Sequence, residues 1–200
     1  MLGAVVGLAL SLLAMPVSPE IIGLETKSLR GGDKLKPPSH PLRLYAMRFC
    51  PWSERVLIYL AKKNIRKTYV QSLNCSSVEV VNVNLSDKPS FLKEKNPDER
   101  VPILEDNGKI LLDSALICEY LDWTRPEVLI LPDDPYLRAK QRMIAGNLEA
   151  KMPSAVRAIV EGQRVPSEQE AARRAVDEAF EVAERLLNGT YFGGSFLRQK

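Results

Sequence analysis

Histidine is almost missing from this 200-residue chain, which carries only His40, set between Ser39 and Pro41. Serine-histidine triads and multi-histidine zinc sites have no material to work with, and no metal site is expected. Cysteine is sparse as well: Cys50, Cys75 and Cys118 form no CxxC pair and leave an odd thiol, unlike a disulfide framework. A reducing compartment fits that usage. No charge of one sign dominates, because 28 basic and 25 acidic residues are interspersed and leave a net charge of +3. The basic stripe of a nucleic-acid-binding surface is absent, so no nucleic-acid partner is expected. Against these gaps stands a hydrophobic content of 45%, enough for a real core in one large domain or two small ones.

Residues 1–40 read as an N-terminal extension. Leu2 to Ala14 is an apolar run too short to span a membrane but about as long as the core of a secretory signal. It lacks a preceding basic segment. Asn84-Leu85-Ser86 would moreover be a glycosylation acceptor in a secreted protein, inside the region read below as a binding site. Glu20 to Pro41, rich in Gly, Pro, Lys and Ser, has no sustained period and reads as a flexible lead-in.

From Leu42 to Met47 apolar residues alternate with period two, which predicts a short strand. Pro51 suits the first turn of a helix, and Val56, Leu57, Tyr59 and Leu60 continue it at helical spacing to Lys63. Cys50 therefore sits where a strand hands over to a helix start. The unpaired N–H groups and positive dipole end of a helix stabilise an anion there, and the thiolate is the attacking form of cysteine. Arg48 and Arg55 add positive charge nearby, although both are more simply read as solvated. Val78 to Leu85 reads as a second strand and Pro89 to Lys95 as a short helix. Val101 to Glu105 and Ile110 to Leu112 read as a hairpin around Asp106-Asn107-Gly108, and Ser114 to Trp123 as a closing helix. The order βαβ–α–ββα predicts an α/β thioredoxin-like domain over residues 41–124.

Three further features look like ligand chemistry. Val101-Pro102 precedes a strand, and in thioredoxin-like folds the equivalent proline is cis and leaves the preceding residue's backbone to pair with an extended peptide. Asp113-Ser114 lies between strand and helix, where a hydroxyl and the first helical N–H groups can receive a carboxylate while the aspartate faces an ammonium; an ordinary N-cap is the competing reading. Lys88 is placed to meet a second carboxylate, or is simply solvated.

The segments Tyr45-Ala46-Met47-Arg48-Phe49-Cys50-Pro51-Trp52-Ser53-Glu54-Arg55, Val101-Pro102-Ile103-Leu104-Glu105, Asp113-Ser114, Cys118-Glu119-Tyr120-Leu121-Asp122 and Leu131-Pro132-Asp133-Asp134-Pro135-Tyr136 together resemble omega-class glutathione transferases. The resemblance runs in order from about Ser28 to Gly194. It implies a cytosolic homodimer in which a cysteine replaces the more usual Tyr or Ser. The activities it implies are glutathione-dependent thiol transfer and reduction of dehydroascorbate or methylated arsenicals. Small oxidised or electrophilic molecules would be the partner substrates. On that resemblance Cys50 is the nucleophile that forms a mixed disulfide with glutathione, and Leu85, Lys88, Val101, Pro102, Asp113 and Ser114 contact the tripeptide. Asp113 replaces the family's usual glutamate and Ser53 stands where a dithiol enzyme places its resolving thiol, so a second glutathione would resolve the intermediate.

Lys67 to Ser77 reads as an insertion of about ten residues between the first helix and the second strand, longer than common connections of that kind. Cys75 within it is expected to be an exposed bystander, and Cys118 a core residue. Residues 125–200 are expected to form a partial all-α domain after a linker at Thr124 to Pro135. One helix is read from Tyr136 to about Lys151, continuing irregularly past Pro153. A second opens with the capping box Ser167-x-x-Glu170, buries Ala172, Val176, Ala179, Ala183, Leu186 and Leu187, and ends at Gly189. The family continues with several more helices where this chain stops, so the resemblance implies an incomplete helical domain. A chloride-intracellular-channel relative and a catalytically silent partner-binding fragment are the rival readings.

Overall fold

The computed structural model describes residues 28–65, 78–162, 169–187, 189 and 192, the side chains of 152–162 excepted. The signal-like run, the 67–77 insertion with Cys75, and Ser167 of the capping box lie outside them. Among the described residues nine elements follow in chain order: β1 Leu42–Ala46, α1 Pro51–Lys62, β2 Val78–Asn82, α2 Phe91–Lys95, β3 Ile103–Asp106, β4 Lys109–Leu112, α3 Ser114–Thr124, α4 Pro135–Gly162 and α5 Gln169–Leu186. The strands form one mixed sheet in the order β2-β1-β3-β4, with β1 parallel to β2 and antiparallel to β3, and β3 antiparallel to β4. This is the thioredoxin-like layout expected from the sequence. No described helix is long and apolar enough to cross a membrane.

β1 lies inside the sheet, and all five of its residues are buried. Its alternation does not separate a core face from a wet one; it deals side chains to two cores. Leu42, Leu44 and Ala46 join Val56 and Leu60 of α1 and Ile117, Cys118 and Leu121 of α3 on one face. Tyr45 joins Val81, Phe91, Leu92, Val101 and Ile103 on the other. Arg43 is buried as well. It is tolerated because Glu79, its register partner on β2, accepts from Nε and Nη2 at 3.0 Å each, and the Lys36 carbonyl accepts from Nη2 at 3.0 Å.

Element ends shift from the sequence reading, among the strands the most at β2. β2 ends at Asn82 rather than Leu85, because Asn84 Oδ1 accepts from the Ser86 and Asp87 amides at 2.8 and 3.2 Å and turns the chain. Val83 instead forms a parallel bridge with Leu29, fixed by Leu29 N–H to the Asn82 carbonyl at 2.8 Å and Asn84 N–H to the Leu29 carbonyl at 2.7 Å. The lead-in read as flexible is thus tied to the sheet at Leu29. The hairpin forms where expected, with Asn107 at φ 50° and Gly108 at φ 79°, the left-handed pair that a two-residue turn requires.

The chain divides into two compact units, 1–130 and 131–200. Residues 125–130, read as linker, belong with the first for a physical reason. Lys63 at the end of α1 and Asp122 of α3 form a buried ion pair of 2.9 Å; Lys63 also donates to the Val128 carbonyl at 2.6 Å, and Asp122 accepts from the Ile130 amide at 3.0 Å.

In the second unit α4 packs against α5. Asp134 caps α4, its Oδ1 accepting from the Leu137 amide at 2.8 Å. α4 continues as one helix through Pro153 to Gly162, beyond the irregular stretch read from the sequence. On α5 the alanines 172, 179 and 183 are buried, whereas Val176 and Leu186 are half-buried and Leu187 is exposed.

Candidate functional site

β1 delivers the chain to α1 through Met47, Arg48 and Phe49. Phe49 takes φ 68°, a left-handed conformation uncommon for an aromatic residue, and is 91% exposed. Cys50 follows as the N-cap of α1, with Pro51 in the first turn. Its amide donates to the Met47 carbonyl at 3.1 Å, its carbonyl accepts from the Glu54 amide at 2.9 Å, and its side chain makes no capping bond. Fully buried Ser53 accepts from the Met47 amide at 3.4 Å, so the position of a resolving thiol is given to bracing the loop. Cys50 is 8% exposed and packs with Val83 and Val101, and Leu85 lies at the fringe of the same cluster. Val101-Pro102 is cis, at the entry to β3. The fold therefore gathers Cys50, Leu85, Val101 and Pro102 around one end of the sheet.

The remaining three predicted residues sit beside this cluster with partners of their own. Lys88 is exposed and faces Glu99 across the solvated surface, Nζ to Oε2 3.8 Å. Asp113 caps α3, its Oδ1 accepting from the Ala115 and Leu116 amides at 2.8 and 3.1 Å. Those two N–H groups are thereby taken by the cap, and Ser114 is the next polar residue at this helix start. Its hydroxyl accepts from Arg55 Nη1 at 3.1 Å. Arg55 in turn lies over the Trp52 ring, 5.1 Å from its centroid. Reading Arg55 as a solvated charge missed this link. The available signal was the i, i+3 spacing of Trp52 and Arg55, which puts both on one face of α1. Glu99 as the partner of Lys88 had no local signal.

Cys118 is the other described free thiol, and it lies in the opposite core. Burial, above all, pushes it up to about 12, which leaves it protonated and unreactive at neutral pH. No cluster of metal-ligating groups occurs among the described residues. A cavity of about 390 Å³ near Ser39, His40, Arg43, Glu105 and Asn107 lies toward the other end of β1, away from Cys50. Its charged walls are internally satisfied, since Arg43 pairs with Glu79 and Glu105 with Tyr45 and Lys95.

Comparison with known proteins agrees with this geometry. The family model for the glutathione S-transferase N-terminal domain matches residues 44–128. The probable glutathione transferase omega-2 of Caenorhabditis briggsae is 38% identical over 180 residues, covering 88% of this chain and 66% of the relative. Glutathione S-transferase omega-1 of Rattus norvegicus is 36% identical over 163 residues, covering 80% of this chain and 63% of the relative. Among solved structures, glutathione transferase Omega 3C from Trametes versicolor superposes with a TM-score of 0.66 at 26% identity, covering 79% of this chain and 64% of that one. The chain spans just under two thirds of the length of these curated relatives. With the cysteine at a helix start, the cis-proline strand and the capped Asp-Ser corner in one sheet, and identity sustained along most of its residues, the chain belongs to the omega class of the glutathione transferase family.

Proposed function

We propose that this chain binds glutathione and uses Cys50 as the nucleophile of glutathione-dependent thiol transfer and reduction. The observation that carries the reading is the placement of Cys50. It is the N-cap of α1, its side chain is uncommitted to capping, and it shares a buried cluster with Val101, the residue that precedes the cis proline. A thiolate at that place gains from the helix dipole. Val101 and Pro102 offer backbone to an extended peptide, Leu85 packs alongside, Asp113 and Ser114 meet its γ-glutamyl end, and Lys88 meets its second carboxylate, exchanging Glu99 for the ligand.

With a glutathionylated disulfide as substrate, the Cys50 thiolate attacks the glutathione sulfur. The old S–S bond breaks, the other thiol leaves and takes a proton from solvent, and Cys50 holds glutathione as a mixed disulfide. A second glutathione thiolate then attacks that glutathione sulfur, giving glutathione disulfide and restoring the Cys50 thiolate. With dehydroascorbate the balance is the same: two glutathiones supply two electrons and two protons, and ascorbate and glutathione disulfide leave. Methylated arsenicals and small electrophiles belong to the same substrate class, and a cytosolic homodimer to the same reading. Ser53 supports the monothiol route, because no second sulfur stands one turn along α1.

Cys50→Ser is expected to reduce glutathione-dependent dehydroascorbate reduction to background, while Cys118→Ser retains it. A rate in the Cys50 variant equal to that of the wild type would overturn the assignment.

A further inference from the structure

Resting on the glutathione reading, we propose that Arg55 is a positioning residue for the peptide: held over the Trp52 ring, it sets the Ser114 hydroxyl as a hydrogen-bond donor toward the α-carboxylate of the γ-glutamyl end. A hydroxyl has one hydrogen and two lone pairs, whereas a guanidinium has donors only. The 3.1 Å contact from Arg55 Nη1 to Ser114 Oγ therefore uses a lone pair of the serine and leaves its hydrogen for some other acceptor. Ser114 is 6% exposed, so that hydrogen has few directions open to it. The neighbouring amides of Ala115 and Leu116 are spent on Asp113, which leaves fewer donors at this helix start and makes this hydroxyl one of them.

Arg55 is also well held. Its Cζ lies over the Trp52 ring, 5.1 Å from the centroid, and a guanidinium with its planar fork loses less freedom on making a directed hydrogen bond than an ammonium on a flexible stem. Because Trp52 and Arg55 both belong to α1, whose first residue follows Cys50, one helix end carries the nucleophile and also orients the group that seats the far end of the peptide. The positive charge of Arg55 adds a field favourable to the arriving carboxylate.

The test separates this role from a general packing role by changing the ligand. Arg55→Met and Ser114→Ala are each expected to raise KM for glutathione about tenfold, the loss of one modest interaction, with kcat within about twofold of the wild type. The double variant should match Ser114→Ala alone, because Arg55 acts through that hydroxyl. With γ-aminobutyryl-Cys-Gly, which lacks the α-carboxylate, Arg55→Met should have the same KM as the wild type. An unchanged KM for glutathione in Arg55→Met, or an equal rise for both peptides, would overturn the role of Arg55 and leave the glutathione reading standing. Failure of the wild type to bind glutathione at all would take down both.

Discussion

The two units of this chain hold themselves together by different means. In residues 28–130 the interior contains charge: Arg43, Lys63, Glu105, Asp106, Glu119 and Asp122 are all buried, most with named partners on other elements. In the described part of 131–200 no charged side chain is buried, and the hydrophobic core is Ile144 with alanines 172, 179 and 183. Tyr136, Met143 and Phe180 are more than half exposed there. Small residues let two helices approach closely but specify little, whereas a buried ion pair is costly unless its one partner is present. The first unit is therefore built to hold a particular geometry. The second is built to pack.

The sharpest way to break this contrast is at the Lys63–Asp122 pair, with both side chains 1% exposed. Lys63→Met leaves a carboxylate buried without its cation and is expected to cost about 3–5 kcal/mol of stability, read as a lowered urea midpoint. Replacing both partners by apolar residues should recover most of that loss. A small effect of Lys63→Met alone would mean that this pair does not fix the end of the first unit.

A smaller effect is expected at Glu105, which accepts from Tyr45 at 2.6 Å and from Lys95 at 3.0 Å. Burial pushes its carboxyl up, but these two hydrogen bonds more than offset that and hold it below the usual range. A lowered carboxylate contributes stability above the unfolded pKa, and that contribution is lost as pH falls through the folded value. Tyr45→Phe should cost about 1.5–3 kcal/mol near pH 7, the range for a hydrogen bond to a charged group. It should cost less near pH 3, flattening the acid limb in denaturation series at the two pH values. The smallest effect is expected in the second unit, where Phe180→Ser at a 55% exposed position should change stability by about 0.5 kcal/mol or less.

The local parts of the site were legible because local chemistry makes them. Pro51 opens a helix wherever it falls after an extended residue, Asn107-Gly108 turns a hairpin, and Asp113 caps a helix by bonding to amides two and three residues on. Cys50 could therefore be placed at a helix start from its neighbours alone. The alternation of β1 was legible as a strand but not as an interior one, because covering both faces depends on α1 and α3 on one side and α2 on the other. The end of β2 was misread because Val83 and Leu85 are good strand residues, and what stops the ladder is the side chain of Asn84.

By itself the sequence determined the order of elements, the helix start at Cys50 and the chemistry available there, since these follow from residues within a turn of one another. The tertiary structure decided which partners the charged side chains take. Arg55 meets Ser114 and Lys63 meets Asp122 across 59 residues each, and both were ordinary surface cations until α1 and α3 packed together. A charge chooses its partner by distance in a poorly solvated space, and that space exists only after the sheet and its helices have closed around it.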